Sequence, residues 1–184
     1  MEQNDEILNH LVRTYGRDIL HFVRFYTRNG GDAEDLTQEV FLRAYKSIGG
    51  FRADCDPKTW LLRIAVNVCR NFARWQKRHP GVPMDTVPMA QTSPSAEEQA
   101  LRRWDEVALL RQVCDLPTKL KEVVLLKYFE DKSIAEIATL LGTLEGTVKV
   151  RLLRARAQMR KRQEGAANDD DTEPGRLRQL ATSG

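Results

Sequence analysis

The chain has 184 residues, of which 41% are hydrophobic and 30% charged, with a formal net charge of +3. That balance excludes both a low-hydrophobicity disordered chain and a membrane protein, because no apolar stretch approaches the roughly 20 residues of a spanning helix. Residues 1–6 are polar and acidic where a secretory signal is basic and then apolar, so the expected location is cytoplasmic.

Ile7, Leu8, Leu11, Val12, Tyr15, Ile19, Phe22, Val23 and Tyr26 recur at spacings of three and four, which predicts an amphipathic helix over 5–28. Asn29, Gly30 and Gly31 end it. Asp32 can cap a second helix whose buried stripe is Leu36, Val40, Ala44 and Ile48, stopped by Gly49 and Gly50. After a polar loop over 51–56, Asp56 and Pro57 supply the cap and first-turn proline of a third helix running to about residue 78. Its apolar side, Trp60, Ile64, Ala65, Val68 and Phe72, completes a small bundle, the first domain, over 1–79.

Four of the seven prolines, Pro80, Pro83, Pro88 and Pro94, fall in the next stretch, which predicts a flexible linker over 80–94. Ser95 and Glu98 fit a capping box that opens a helix to about residue 114, and Leu116 and Pro117 lead into another through residue 129. Ser133 and Glu136 form a second box before the apolar face Ile134, Ile137, Ala138 and Leu141; Gly142 then breaks the helix. The following helix turns Val148, Leu152, Ala155 and Met159 inward. This second domain, 95–162, therefore carries a helix-turn-helix. Residues 163–184 show no helical period and read as a disordered tail. The expected fold class is all-α: two small helical domains joined by a flexible linker, the C-terminal one containing the helix-turn-helix.

Charge is sorted into blocks. Asp32, Glu34, Asp35 and Glu39 form an acidic cluster, Arg63, Arg70, Arg74, Lys77 and Arg78 a basic run, and 146–162 a second basic run with no carboxylate. On the second run Lys149, Val150, Leu153 and Arg154 share one face, where cations meet phosphates or base edges and apolar groups meet a thymine methyl. A solvated basic helix with apolar contacts inside the domain is the alternative. Trp75, flanked by Arg74 and Lys77, is a candidate platform for an unpaired base, with core packing as the competing reading. The acidic block would repel DNA and suits a basic protein partner; helix-dipole complementarity accounts for Asp32 and Glu34 but not for Asp35 and Glu39.

Cys55, Cys69 and Cys114 form no C-x-x-C pair, and with His10, His21 and His79 they fall into no metal spacing. No phosphate-binding loop or paired nucleophile and base is visible, so no cofactor, metal or small-molecule substrate is expected and an enzyme is the weakest class. Two rivals stay open on the residues alone: a stand-alone helix-turn-helix regulator, which leaves the first domain idle, and a helical protein-binding adaptor, which predicts no salt-sensitive DNA affinity.

The motif D-A-E-D-L-T-Q-E-V-F-L-R-A-Y at 32–45, together with F-R-A-D-C-D-P-K-T-W-L-L-R-I-A-V-N at 51–67, resembles a bacterial RNA polymerase sigma factor of the extracytoplasmic-function group of the sigma-70 family. The stretch S-I-A-E-I-A-T-L-L-G-T-L-E-G-T-V-K-V-R-L-L-R-A-R at 133–156 extends the resemblance in family order. It implies docking of Asp35, Gln38 and Glu39 on core RNA polymerase. It implies −10 contacts and capture of a flipped non-template base by Phe51, Arg52, Asp54, Thr59, Asn67, Arg70, Arg74 and Trp75. It further implies −35 contacts by Thr147, Lys149, Val150, Arg151, Leu153 and Arg154. Expected partners are core polymerase, promoter DNA as −35 duplex and −10 single strand, and a membrane-anchored anti-sigma factor. Val150 stands where the family usually has Ser, and Leu153 where it often has His or an aromatic, so the promoter sequence is left open.

Overall fold

In a computed structural model, which describes residues 2–27, 30–50, 56–79 and 111–170, every regular element among the described residues is helical. Helix α1 (Glu2–Arg24) buries Leu11, Ile19, Phe22 and Val23 at helical spacing. It ends four residues before the expected residue 28. Phe25 and Tyr26 leave it in a turn, closed by the Tyr26 N–H donating to the Val23 carbonyl (2.9 Å), and both rings are buried there. Helix α2 (Gly30–Ser47) starts two residues ahead of Asp32, so Asp32 stands in the first turn, where the dipole favours an acid, and does not cap. Ala33, Val40 and Ala44 are fully buried, and Ile48 follows in a 3-10 turn (Ile48–Gly50).

Helix α3 (Pro57–Arg78) begins as its sequence dictates: Pro57 lies in the first turn and the Asp56 carboxylate accepts from the Thr59 N–H (3.0 Å) and hydroxyl (2.6 Å). Its buried residues are Leu61, Leu62, Ala65, Val66, Val68 and Cys69, whereas the expected Trp60, Ile64 and Phe72 are half-buried. The expected stripe assumed one packing side. Helix α3 packs on α1 and α2 and also on the C-terminal helices, so its buried arc is wider than one bundle face.

In the C-terminal module residues 111–114 are helical, and Val113 and Leu116 are buried ahead of helix α4 (Thr118–Tyr128). All of Lys121, Glu122, Val123, Val124, Leu125 and Leu126 are buried, the mark of a helix enclosed on every side. Helix α5 (Ile134–Leu141) opens on the expected capping box: the Ser133 N–H donates to Glu136 (2.8 Å) and the Glu136 N–H to the Ser133 hydroxyl (3.2 Å). Gly142 closes it at φ 63°, a left-handed conformation that costs an L side chain energy. Helix α6 (Glu145–Asp170) turns Val148, Leu152 and Ala155 into the core, with Met159 half-buried. It continues to residue 170, eight residues past the expected end at 162. Ala166 and Ala167 are strong helix formers and no proline intervenes, so the segment 163–170 that reads as a tail extends the helix.

The linker over 80–94, residues 95–110 of the helix expected to run to about residue 114, and the rest of the tail, 171–184, lie outside the described residues. The two helical modules touch: α3 packs against both α4 and α5. The contact joins the Arg70 guanidinium to Glu122 (2.6 and 2.7 Å) and Lys58 to Glu130 (2.9 Å), and Lys132 approaches Asp56 (3.3 Å). The Lys121 ammonium donates to the Phe25 carbonyl (2.9 Å) and lies over the Tyr26 ring, while Phe25 and Phe129 meet edge to face at 4.8 Å.

Candidate nucleic-acid and protein interfaces

Three surfaces carry the charge blocks. On α2, Asp35 and Gln38 are exposed and Glu39 is half-buried, held to Arg43 one turn on by a 2.6 Å ion pair. Spacings of three and four place all three residues on one helical face. Leu42 continues that face and is exposed. Sequence reasoning passed over it, although its position seven residues after Asp35 was the available signal. An acidic face with an apolar member suits a protein partner better than water alone.

On α3 the described −10 candidates do not form one free basic face. Asn67 is exposed and uncommitted among the described hydrogen bonds. The Thr59 hydroxyl is engaged by the Asp56 cap, and the Arg74 guanidinium donates to the Asn71 side chain at 2.6 Å. Trp75 is 44% exposed but stacks on His79 (4.9 Å) and Phe72 (6.3 Å), so one side of the indole is already covered. Arg70 faces Glu122 of α4 and is the largest departure from the expected solvent-facing set. Phe51, Arg52 and Asp54 lie outside the described residues, as does Cys55.

On α6, Lys149 and Arg154 are exposed, Val150 is 47% and Leu153 68% exposed, and Thr147 and Arg151 are half-buried. The core pins this helix through Val148, Leu152 and Ala155, and that register forces Leu153 and Val150 outward. Lys119, from the first turn of α4, joins Gly146, Thr147, Val150, Arg151 and Arg154 around an open cleft. It was missed because it is 27 or more residues distant from them in sequence. The Arg156 guanidinium bonds the Tyr128 hydroxyl and ties the far side of α6 to α4.

The pKa shifts belong to the framework. Burial raises Asp56, but hydrogen bonds from Thr59 and the Lys132 ammonium outweigh it and hold the carboxyl below its usual range. The capping hydrogen bonds of Ser133 likewise lower Glu136, whereas burial raises Glu130 despite its Lys58 partner. Burial also pushes the Cys69 thiol well up, so that thiol is inert while covered. Among the described residues no group of three or more His, Cys, Asp or Glu could hold a metal ion, and no helix is long and apolar enough to cross a membrane.

An acidic helix face, a helix with a basic run and a helix-turn-helix with an exposed basic and apolar face thus sit on one all-helical framework. Residues 11–79 match the Sigma-70 region 2 family and residues 106–159 the Sigma-70, region 4 family. The chain is 35% identical over 150 residues to the ECF RNA polymerase sigma factor SigM of Mycobacterium tuberculosis, covering 81% of this chain and 73% of that one. It is 30% identical over 162 residues to the ECF RNA polymerase sigma-E factor of Escherichia coli, covering 83% and 84%. The fold is similar to that of the sigma factor RpoE in complex with the anti-sigma factor NepR from Bartonella quintana, with a TM-score of 0.68 at 20% identity over 83% of this chain and 94% of that one. The chain belongs to the ECF subfamily of sigma-70 family RNA polymerase sigma factors. It is thus a non-catalytic regulatory subunit that acts by binding core RNA polymerase, and members of this group are generally cytoplasmic.

Proposed function

We propose that this chain brings core RNA polymerase to a promoter by dividing the work among its three surfaces. Asp35, Gln38, Glu39 and Leu42 of α2 dock on polymerase. Lys149, Val150, Leu153 and Arg154 of α6, with Thr147 and Arg151 beside them, read the −35 duplex. Phe51, Arg52, Asp54, Thr59, Asn67, Arg70, Arg74 and Trp75 engage the −10 strand and capture an unpaired base. The observation that carries this reading is the outward quartet on α6: cations and two large apolar side chains held facing solvent by a fixed core register. Strand opening then draws on binding energy, because extruding a base costs a few kcal/mol that pocket and phosphate contacts must offset.

The division into a domain over 1–79 and one over 95–162 belongs to this reading, as does a cytoplasmic site of action under a membrane-anchored anti-sigma factor. The complex of RpoE with NepR pairs a sigma factor with an anti-sigma factor, and the fold is also similar to that of CnrH in complex with the cytosolic domain of CnrY, at a TM-score of 0.64 and 22% identity over 88% of this chain and 90% of that one. The test is co-elution with bacterial core polymerase followed by run-off transcription on a randomised promoter library. Promoter-selective transcripts establish the reading. Tight duplex binding by the free chain with no polymerase association moves it to a stand-alone regulator. Asn67→Ala should impair opening while duplex binding stays nearly intact, and unchanged transcription in that variant removes Asn67 from the melting site.

A further inference from the structure

Helix α6 holds two large aliphatic side chains in solvent, and the core of its own module does not account for them. Val150 and Leu153 point outward while Val148, Leu152 and Ala155 fill the core from the other side of the helix. Spacings of three and four put Gly146, Lys149, Val150, Leu153, Arg154 and Ala157 on one face, and all six are exposed. A Cβ at Gly146 would meet nothing within 4 Å, so packing inside the chain does not call for glycine there. The face is therefore low at both ends, glycine and alanine, with the aliphatic pair between cations. Lys119 of α4 and Arg151 line the cleft beside Val150, and residues 146–162 contain no carboxylate.

A protein that covered Val150 and Leu153 would have to bring acids to Lys119, Lys149, Arg151 and Arg154 as well. A duplex supplies the anions in its backbone and, in the major groove, a single apolar group, the thymine C5-methyl. The other three bases present only polar atoms there, from which an aliphatic side chain gains nothing. Three residues advance a helix by about 4.5 Å along its axis, against about 3.4 Å for one step along a DNA strand. The pair therefore reaches neighbouring base pairs when α6 lies along the groove. Resting on the reading that α6 contacts the −35 duplex, we propose that Val150 and Leu153 form a methyl-reading pair that selects thymines at neighbouring base pairs of the −35 element. Lys119 and Arg151 serve the phosphates beside them and carry no sequence information.

The test takes the full chain bound to core polymerase and the duplex it retains from a randomised library, and replaces each thymine of that duplex singly by deoxyuridine. The exchange removes one methyl group and leaves every hydrogen-bonding atom in place. At two neighbouring base pairs binding should weaken about fourfold, the worth of one buried methyl group, and elsewhere it should hold. Leu153→Ala should erase the penalty at one of these positions and Val150→Ala at the other, so that thymine and deoxyuridine bind alike there. Side chains acting only through the fold would weaken all duplexes equally and leave both penalties intact. Both residues are exposed, so the unfolding midpoints of the variants should stay near wild type. The absence of any deoxyuridine penalty, or penalties undiminished in both variants, overturns the methyl pair and leaves Val150 and Leu153 to a protein partner. Co-elution with polymerase is read separately. If it fails, the same duplex series is read on the free chain: the thymine contrast there keeps the methyl pair and strikes the polymerase-docking reading, whereas no selective duplex binding in either form overturns both.

Discussion

Helix α3 carries Arg63, Arg70, Arg74, Lys77 and Arg78, and helix α6 carries Lys149, Arg151, Arg154, Arg156, Arg160 and Lys161. On α3, Arg70 is taken by Glu122, Arg74 leans on Asn71, and Trp75 stacks with Phe72 and His79. On α6, no salt bridge reaches Lys149, Arg151 or Arg154 among the described residues, and Val150 and Leu153 stand in solvent between them. Two basic runs therefore give unequal surfaces. On the proposed reading, α6 offers a rigid duplex a preformed helix face, while α3 gives up internal partners to serve a strand.

The comparison breaks most visibly at the third surface, which serves neither helix. Glu39→Arg reverses the sign of the α2 face and should weaken core polymerase association by several kcal/mol, the scale of a like-charge mismatch at an interface. Duplex binding by α6 should be unchanged; a variant that co-elutes with polymerase like wild type refutes the acidic-face assignment. Arg154→Ala tests α6 itself. The loss should be about 1–3 kcal/mol of −35 affinity, with relaxed selectivity at the bases it reads, measured by competition between promoter duplexes.

The framework under α6 comes next in size. Ser133→Ala removes half of the capping box and should cost about 1 kcal/mol in urea unfolding, with a matching loss of duplex affinity only if α5 sets the angle of α6. Acid acts on the same devices. Asp56 and Glu136 have lowered pKa values in the folded chain, so the stability they contribute is present above the ordinary carboxylate pKa of about 4 and is lost as the pH falls through their lowered values. Thermal unfolding followed down the pH scale should show that loss, and Asp56→Asn should make the decline shallower. An unaltered profile in this variant contradicts the role given to the α3 cap.

Arg74→Ala should have the smallest effect. It should weaken single-stranded DNA binding uniformly across sequences and flatten the logarithmic salt dependence by about 0.7, the contribution of one phosphate contact. A sequence-dependent loss would instead make α3 a base reader like α6 and erase the contrast between them.

Much of this molecule is legible residue by residue. The Asp56–Pro57 start of α3, the Ser133–Glu136 box and the Gly142 stop are local devices whose partners lie within four residues, so sequence suffices to find them. The core register of α6, and with it the outward placement of Val150 and Leu153, follows from helical period alone. The resemblance at 32–67 and 133–156 pointed to the family, which the region 2 and region 4 matches bear out. Two further departures have non-local causes. The apolar face assigned to α3 was too narrow because a second module covers another side, and Lys119 went unnoticed because only folding brings it to Arg151 and Arg154.

Sequence by itself determined the order of the helices, the caps at Asp56 and Ser133, the helix-turn-helix and the sorting of charge into blocks, because each rests on spacings of three or four residues or on runs of like residues. Tertiary structure alone decided which charges are available. Arg70 and Glu122 are 52 residues apart, and nothing in their local sequence marks one as the other's partner. A carboxylate is tolerated at 0% exposure only where a cation from elsewhere in the chain meets it, and that meeting is a property of the packed helices.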